Sequence, residues 1–154
     1  MSSIVWAMTT VGGFAFAVAA GLIDWRERRI PNRLTAIIAT LSLSGFAIAA
    51  GTDQSTITAL RTLLLAFAIL AGSLLLIWLA VPRALGAGDV KLAAALAPFA
   101  AWPTTTYLFA GLVLMFVAAT PHALAVRNRK ASLPFGPYIV TGIGAATLLT
   151  WVTP

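Results

Sequence analysis

The chain has 154 residues, of which 60% are hydrophobic, 9% are charged and none is cysteine, and its mean hydropathy is +0.97. Such a composition lies far outside the range of water-soluble domains and calls for lipid as solvent. The missing cysteines exclude disulfides, thiolate nucleophiles and Cys-ligated zinc, and the single histidine, His122, excludes a multi-histidine metal site.

The first apolar run, residues 4–23, follows a start that lacks the positive charge of a secretory signal, so it is read as a retained span. Arg26, Arg28, Arg29 and Arg33 come next, then a second run over 34–50 and a loop at 51–61 that carries only Asp53 and Arg61. A third run covers 62–81, and Arg83 and Lys91 flank the loop after it. The fourth run, 92–120, is too long for one span of about 20 residues and short for two. It carries Pro98 and Pro103 with Trp102 between them, and Arg127, Arg129 and Lys130 separate it from the last run, 135–152.

The sidedness of charge decides the count. One crossing by 92–120 would put the clusters at 83–91 and 127–130 on opposite sides, whereas two short crossings put every basic cluster in the cytoplasm. The net charge of +6 is thus a topology signal, and no nucleic-acid partner is expected. The sequence predicts an all-α polytopic membrane bundle of about six helices, one integral membrane domain over 1–154, with both termini outside. The break falls near Pro103, and the fourth helix, about 90–102, is short or part-spanning. Trp6, Trp102 and Trp151 would belong to the outer aromatic belt and Trp25 to the inner one. Frequent Ala and Gly suit close helix packing in lipid.

Four carboxylates exist in the chain, and this topology puts Asp24 at the inner end of the first helix and Asp89 just before the fourth. Ionisable groups at membrane level are expensive, so they are usually paired or functional. Two acids converging there suit an aspartyl dyad, in which one carboxylate takes a proton from water while the other, protonated, hydrogen-bonds the scissile carbonyl. Simpler roles exist for each: Asp24 as an interfacial charge balanced by its arginines, and Asp89 as a helix N-cap. A cap alone does not explain Gly86-Ala87-Gly88-Asp89, whose glycines let backbone approach a neighbour or substrate and permit positive φ.

These segments resemble the type IV prepilin peptidases, membrane aspartic proteases of the Gly-x-Gly-Asp kind. Asp24 followed by Ile30-Pro31-Asn32 is similar to the family's first-aspartate segment, Gly86-Ala87-Gly88-Asp89-Val90-Lys91 to its second, and Pro134-Phe135-Gly136-Pro137 to the opening of its last helix. The resemblance implies an aspartic endopeptidase of the bacterial inner membrane. Its substrate would be a prepilin-like membrane protein, cut on the cytoplasmic side after a short basic leader, with Asp24 and Asp89 as the catalytic pair and no cofactor or metal. Larger members carry an extra cytoplasmic segment, often with paired cysteines, and methylate the product, so this chain is similar to the small, peptidase-only branch.

The other candidates have two readings each. Pro31 and Asn32 shape the active-site loop or merely start a helix with Asn32 as its cap. Lys91 meets substrate or anchors the inner face, and the arginine cluster is a solvated, lipid-facing charge. Pro134, Gly136 and Pro137 line the site or only lead into a membrane helix. His122 is an interfacial residue, and Gly72-Ser73 is helix packing. The rival to a peptidase is a small ion-coupled carrier that binds a cation or relays protons on the same two acids.

Overall fold

A computed structural model of the chain describes residues 2–53, 55–80, 85–102, 104–126 and 133–152. The regular elements among them are helices: α1 (Ser2–Glu27), α2 (Asn32–Asp53), α3 (Thr56–Ala80), α4 (Ala87–Ala101), α5 (Leu108–Val126) and α6 (Gly136–Val152). The fourth apolar run is indeed two helices, with Trp102 extended at φ −119° and ψ 140° after α4. Arg83, Pro103, Arg127, Arg129 and Lys130, which entered the charge and break arguments, lie outside the described residues.

Local chemistry sets the ends. Arg28 adopts a left-handed φ of 56°, and its N–H donates to the Asp24 carbonyl at 2.9 Å, which stops α1. Proline disfavours helical geometry in the residue before it, so Ile30 cannot carry the helix on. The Pro31 carbonyl accepts from the N–H groups of Leu34 and Thr35 at 3.1 and 3.2 Å and opens α2. The cap of α2 is therefore Pro31, not Asn32. Ser55 caps α3, its hydroxyl accepting from the Thr58 N–H, and that helix passes through a π-helical stretch at Phe67–Gly72.

α1, α2, α3 and α5 are long and apolar enough to cross a membrane. α4 has 15 residues and so rises only about 22 Å at 1.5 Å per residue, short of a hydrocarbon core of about 30 Å. It is the axis of the bundle rather than a weak span. Leu92, Ala93 and residues 95–101 are all buried, and α4 packs on α1, α2, α3 and α6. Sheathed in protein, its length is not set by lipid. The sheath turns its apolar side chains outward, as Ile4, Met8 and Val11 do on α1.

Small residues let the helices close. A Cβ on Gly142 of α6 would lie 2.5 Å from the Gly111 carbonyl oxygen of α5, so the two backbones are nearly in contact there. The Ser42 hydroxyl of α2 donates to the Ala95 carbonyl of α4 at 2.7 Å. The aromatic belt needs correction at one end. Trp25 and Trp151 are about half exposed, but Trp6 and Trp102 are buried. Trp6 packs against Phe99 with ring centroids 5.6 Å apart, and Trp102 meets Phe46 edge-on. The enclosed α4 brings Phe99 and Trp102 into the bundle interior, which makes these indoles core.

Candidate active site

Asp24 sits one turn from the end of α1, and only 6% of it is exposed. Its Oδ2 accepts the N–H of Gly136, the first residue of α6, at 2.9 Å. That donor is one of the orphan N–H groups that every helix start leaves, and the partial positive charge there suits a carboxylate. Glycine lets the carboxylate come this close. A Cβ at 136 would lie 3.0 Å from the same Oδ2. One turn earlier, Gly21 brings α1 against the Pro137 backbone, where a Cβ would sit 3.3 Å from its Cα. Proline costs nothing at this place, because an N–H in the first turn has no intrahelical acceptor.

Asp89 comes from α4 and is equally buried. It lies inside the helix, at the third position, and the sequence-based placement ahead of the helix is corrected accordingly. Gly86 is the N-cap, extended at φ −87° and ψ 153°, and its N–H donates to Asp89 Oδ2 at 2.8 Å. The acid thus closes half of a capping box on its own helix. No described glycine has positive φ, so Gly88 serves close approach rather than an unusual backbone. A Cβ on Gly88 would come within 3.2 Å of the Ile30 side chain.

Both acids open onto one cavity of about 120 Å³, walled by Arg28, Ile30, Gly86, Gly88 and Leu133. Asp89 lies outside the four spanning helices. Burial raises its carboxyl, the Gly86 N–H pulls it back, and the Asp24 charge raises it again, to about 6. A larger hollow of about 450 Å³ between α2 and α4 is lined by Thr35, Ser42, Phe67 and alanines and contains neither acid. Size is no guide here, because the chemistry lies where the two carboxylates share a wall.

The structure brings Gly86, Gly88 and Gly136 to the acids and leaves other candidates apart. Asn32 and Lys91 are exposed and joined by a bond of 3.3 Å from Lys91 Nζ to Asn32 Oδ1, at the mouth of the larger hollow. Pro31 forms the turn into α2, Pro134 is fully buried ahead of α6, and Pro137 packs on Gly21. Arg28 and Arg29 reach the cavity wall rather than only lipid, and Arg29 pairs with Glu27 at 2.7 Å. Two features had no signal in the sequence: the left-handed Arg28 and a hydrogen bond between His122 and Tyr138.

A bundle of apolar helices converging on two buried carboxylates defines a polytopic helical membrane protein with a polar site at one end. The chain matches the family model of the type IV leader peptidase family over residues 11–124, which include Asp24, Gly86, Gly88 and Asp89. It belongs to that family and is accordingly a protease, which sets the carrier reading aside. No curated protein and no solved structure matches it.

Proposed function

We propose that the chain is an aspartic endopeptidase that removes the leader of pilin-like membrane precursors at the cytoplasmic face of the inner membrane, with Asp24 and Asp89 as its catalytic pair. The observation that supports it is the shared cavity: two acids 65 positions apart, both buried, open on the same space. Among the described residues no cluster of His, Asp or Glu is suited to a metal ion, so the acids are read as acting on water directly.

The scissile peptide bond lies across the cavity mouth. The ionised carboxylate removes a proton from a water molecule as its oxygen attacks the carbonyl carbon. The protonated carboxyl donates to the carbonyl oxygen, and a proton then passes to the leaving amine as the C–N bond breaks. Asp89 is assigned the acid role, because its raised carboxyl keeps a proton in the range where ordinary carboxylates have lost theirs. Substrate covering the cavity displaces water and raises it further. Asp24 is assigned the base role, its charge stabilised by the Gly136 N–H.

The orientation follows from charge. Among the described residues, Arg26, Arg28, Arg29, Arg33 and Lys91 lie at the acid end and Arg61 alone near the other, as the positive-inside rule requires of a cytoplasmic site. The test is co-expression with candidate prepilins, read as a leader-sized shift on a gel. Cleavage is expected from the wild type and not from Asp24→Asn or Asp89→Asn. Substrate left uncut by the wild type, or cut by either folded variant, would overturn the reading.

A further inference from the structure

The first turn of α6 is gripped from two sides. On one side the Gly136 N–H meets Asp24. On the other, Tyr138 places its hydroxyl 2.8 Å from Nδ1 of His122 on α5, and both residues are half-buried. The imidazole lies against the indole of Trp25 on α1, with ring centroids 5.1 Å apart. The Tyr138 ring contacts Phe135, which contacts Phe116 of α5. Trp25, the chain neighbour of Asp24, and Tyr138, two residues after Gly136, therefore meet at His122, while Phe135, just before Gly136, packs on Tyr138.

Elsewhere α5 and α6 meet at the apolar, glycine-mediated crossing of Gly111 and Gly142, a contact that resists separation but gives little control of rotation about the helix axis. A hydrogen bond prefers an angle above about 150° and weakens steeply below about 120°, so it opposes a rotation that a smooth apolar contact allows. The bond from Gly136 to Asp24 needs that control, because it is made by a single N–H at the very start of a helix, where ends fray.

We propose that the His122–Tyr138 hydrogen bond is a brace that sets the register of the first turn of α6, keeping the Gly136 N–H on Asp24, and that His122 and Tyr138 are positioning residues for leader cleavage. The proposal rests on the acid-pair reading above. Neither residue lines the acid cavity, so the effect runs through Gly136 to Asp24. The bond forms whichever partner donates: the tyrosine O–H to Nδ1, with the ring proton on Nε2, or Nδ1–H to the phenolic oxygen. A packing role alone would reside in the rings, which Tyr138→Phe preserves.

The experiment uses the full chain in detergent or nanodiscs, with a prepilin substrate and glycine-selective ¹⁵N labelling; the twelve glycines make the Gly136 amide assignable by difference against Gly136→Ala. Tyr138→Phe and His122→Leu are each expected to lower kcat roughly tenfold to a hundredfold, as a small misplacement near a reacting group does. KM should stay unchanged, and the double variant should be no worse than either single one. The Gly136 amide resonance should move in both variants. His122→Asn, whose amide group reaches close to the place of Nδ1, should recover most of the kcat lost in His122→Leu. Wild-type kcat in Tyr138→Phe, or a Gly136 resonance that stays put in it, overturns the brace. Should Asp24→Asn keep full cleavage, the acid pair falls instead, and with it the brace's link to cleavage, while the Gly136 resonance still decides whether the brace exists.

Discussion

At the acid end of the bundle, Asp24 and Asp89 are buried and each accepts a backbone N–H, at 2.9 and 2.8 Å. At the far end the Trp6 indole nitrogen and the Thr10 hydroxyl are buried with no hydrogen-bond partner among the described residues, and the helices are located by shape: Gly13 under the Phe99 ring, Gly45 under Thr9. One end is registered by directional bonds and the other by steric contact. A neutral indole or hydroxyl left unpaired costs a few kcal/mol, whereas an unpaired buried carboxylate costs far more. The acid end thus has to be built around its polar groups, and the far end has only to be filled. Substitutions should then damage activity at one end and stability at the other.

The strongest test removes the acids. Asp24→Asn and Asp89→Asn should each lower cleavage by about 10²- to 10⁴-fold, the usual worth of a general acid or base, while melting and membrane insertion stay near wild type. The double variant should be scarcely worse than either, because the two act as a unit. The alkaline limb of the pH profile should follow Asp89. Its protonated form is needed, so kcat/KM, which reports the free enzyme, should fall as pH rises through about 6, and the limb of kcat should lie higher. An alkaline limb that Asp89→Asn leaves in place would break the assignment of the acid.

Two glycine substitutions sharpen the contrast, since the added methyl is the same. In Gly142→Ala the methyl meets the Gly111 carbonyl oxygen and the Met115 Cβ, both at 2.5 Å. Backbone cannot yield there cheaply, so destabilisation of about 1–3 kcal/mol is expected from overpacking, read by thermal melting, with kcat per folded molecule unchanged. In Gly136→Ala the methyl comes within 3.0 Å of Asp24 Oδ2, and a shift of a few tenths of an ångström relieves it. Melting should hardly move, while kcat falls about tenfold, or about 1.4 kcal/mol in the barrier. Equal effects of the two on kcat per folded molecule would erase the distinction between the acid end and the sterically packed remainder of the bundle.

The smallest effect belongs to Gly51, near the end of α2, where an added Cβ meets nothing within 4 Å. Gly51→Ala should leave cleavage untouched and stabilise by at most about 1 kcal/mol, the difference in helix propensity. It serves as the control for glycine replacement as such.

The lipid solvent, the six helices, the division of the 92–120 run and the choice of Asp24 and Asp89 as candidates were all legible beforehand. Each depends on quantities summed over short stretches: hydropathy, the placing of cations, proline near a break, a short glycine motif. Tertiary structure alone decided which groups meet. Nothing local marks α4 as the enclosed axis, since its apolar residues read like those of a lipid-facing span; burial by four neighbours makes the difference. Nothing local puts Arg28 in a left-handed turn at the cavity wall, or turns Trp6 inward, or separates Asn32 and Lys91 from the acids they adjoin in the chain. Gly136 and Asp24 are 112 positions apart, and His122 reaches Tyr138 across a helix crossing. A hydrogen bond is selected by the distance and angle of two particular atoms, and those are set by the packing of whole helices, a property no single segment of the sequence carries.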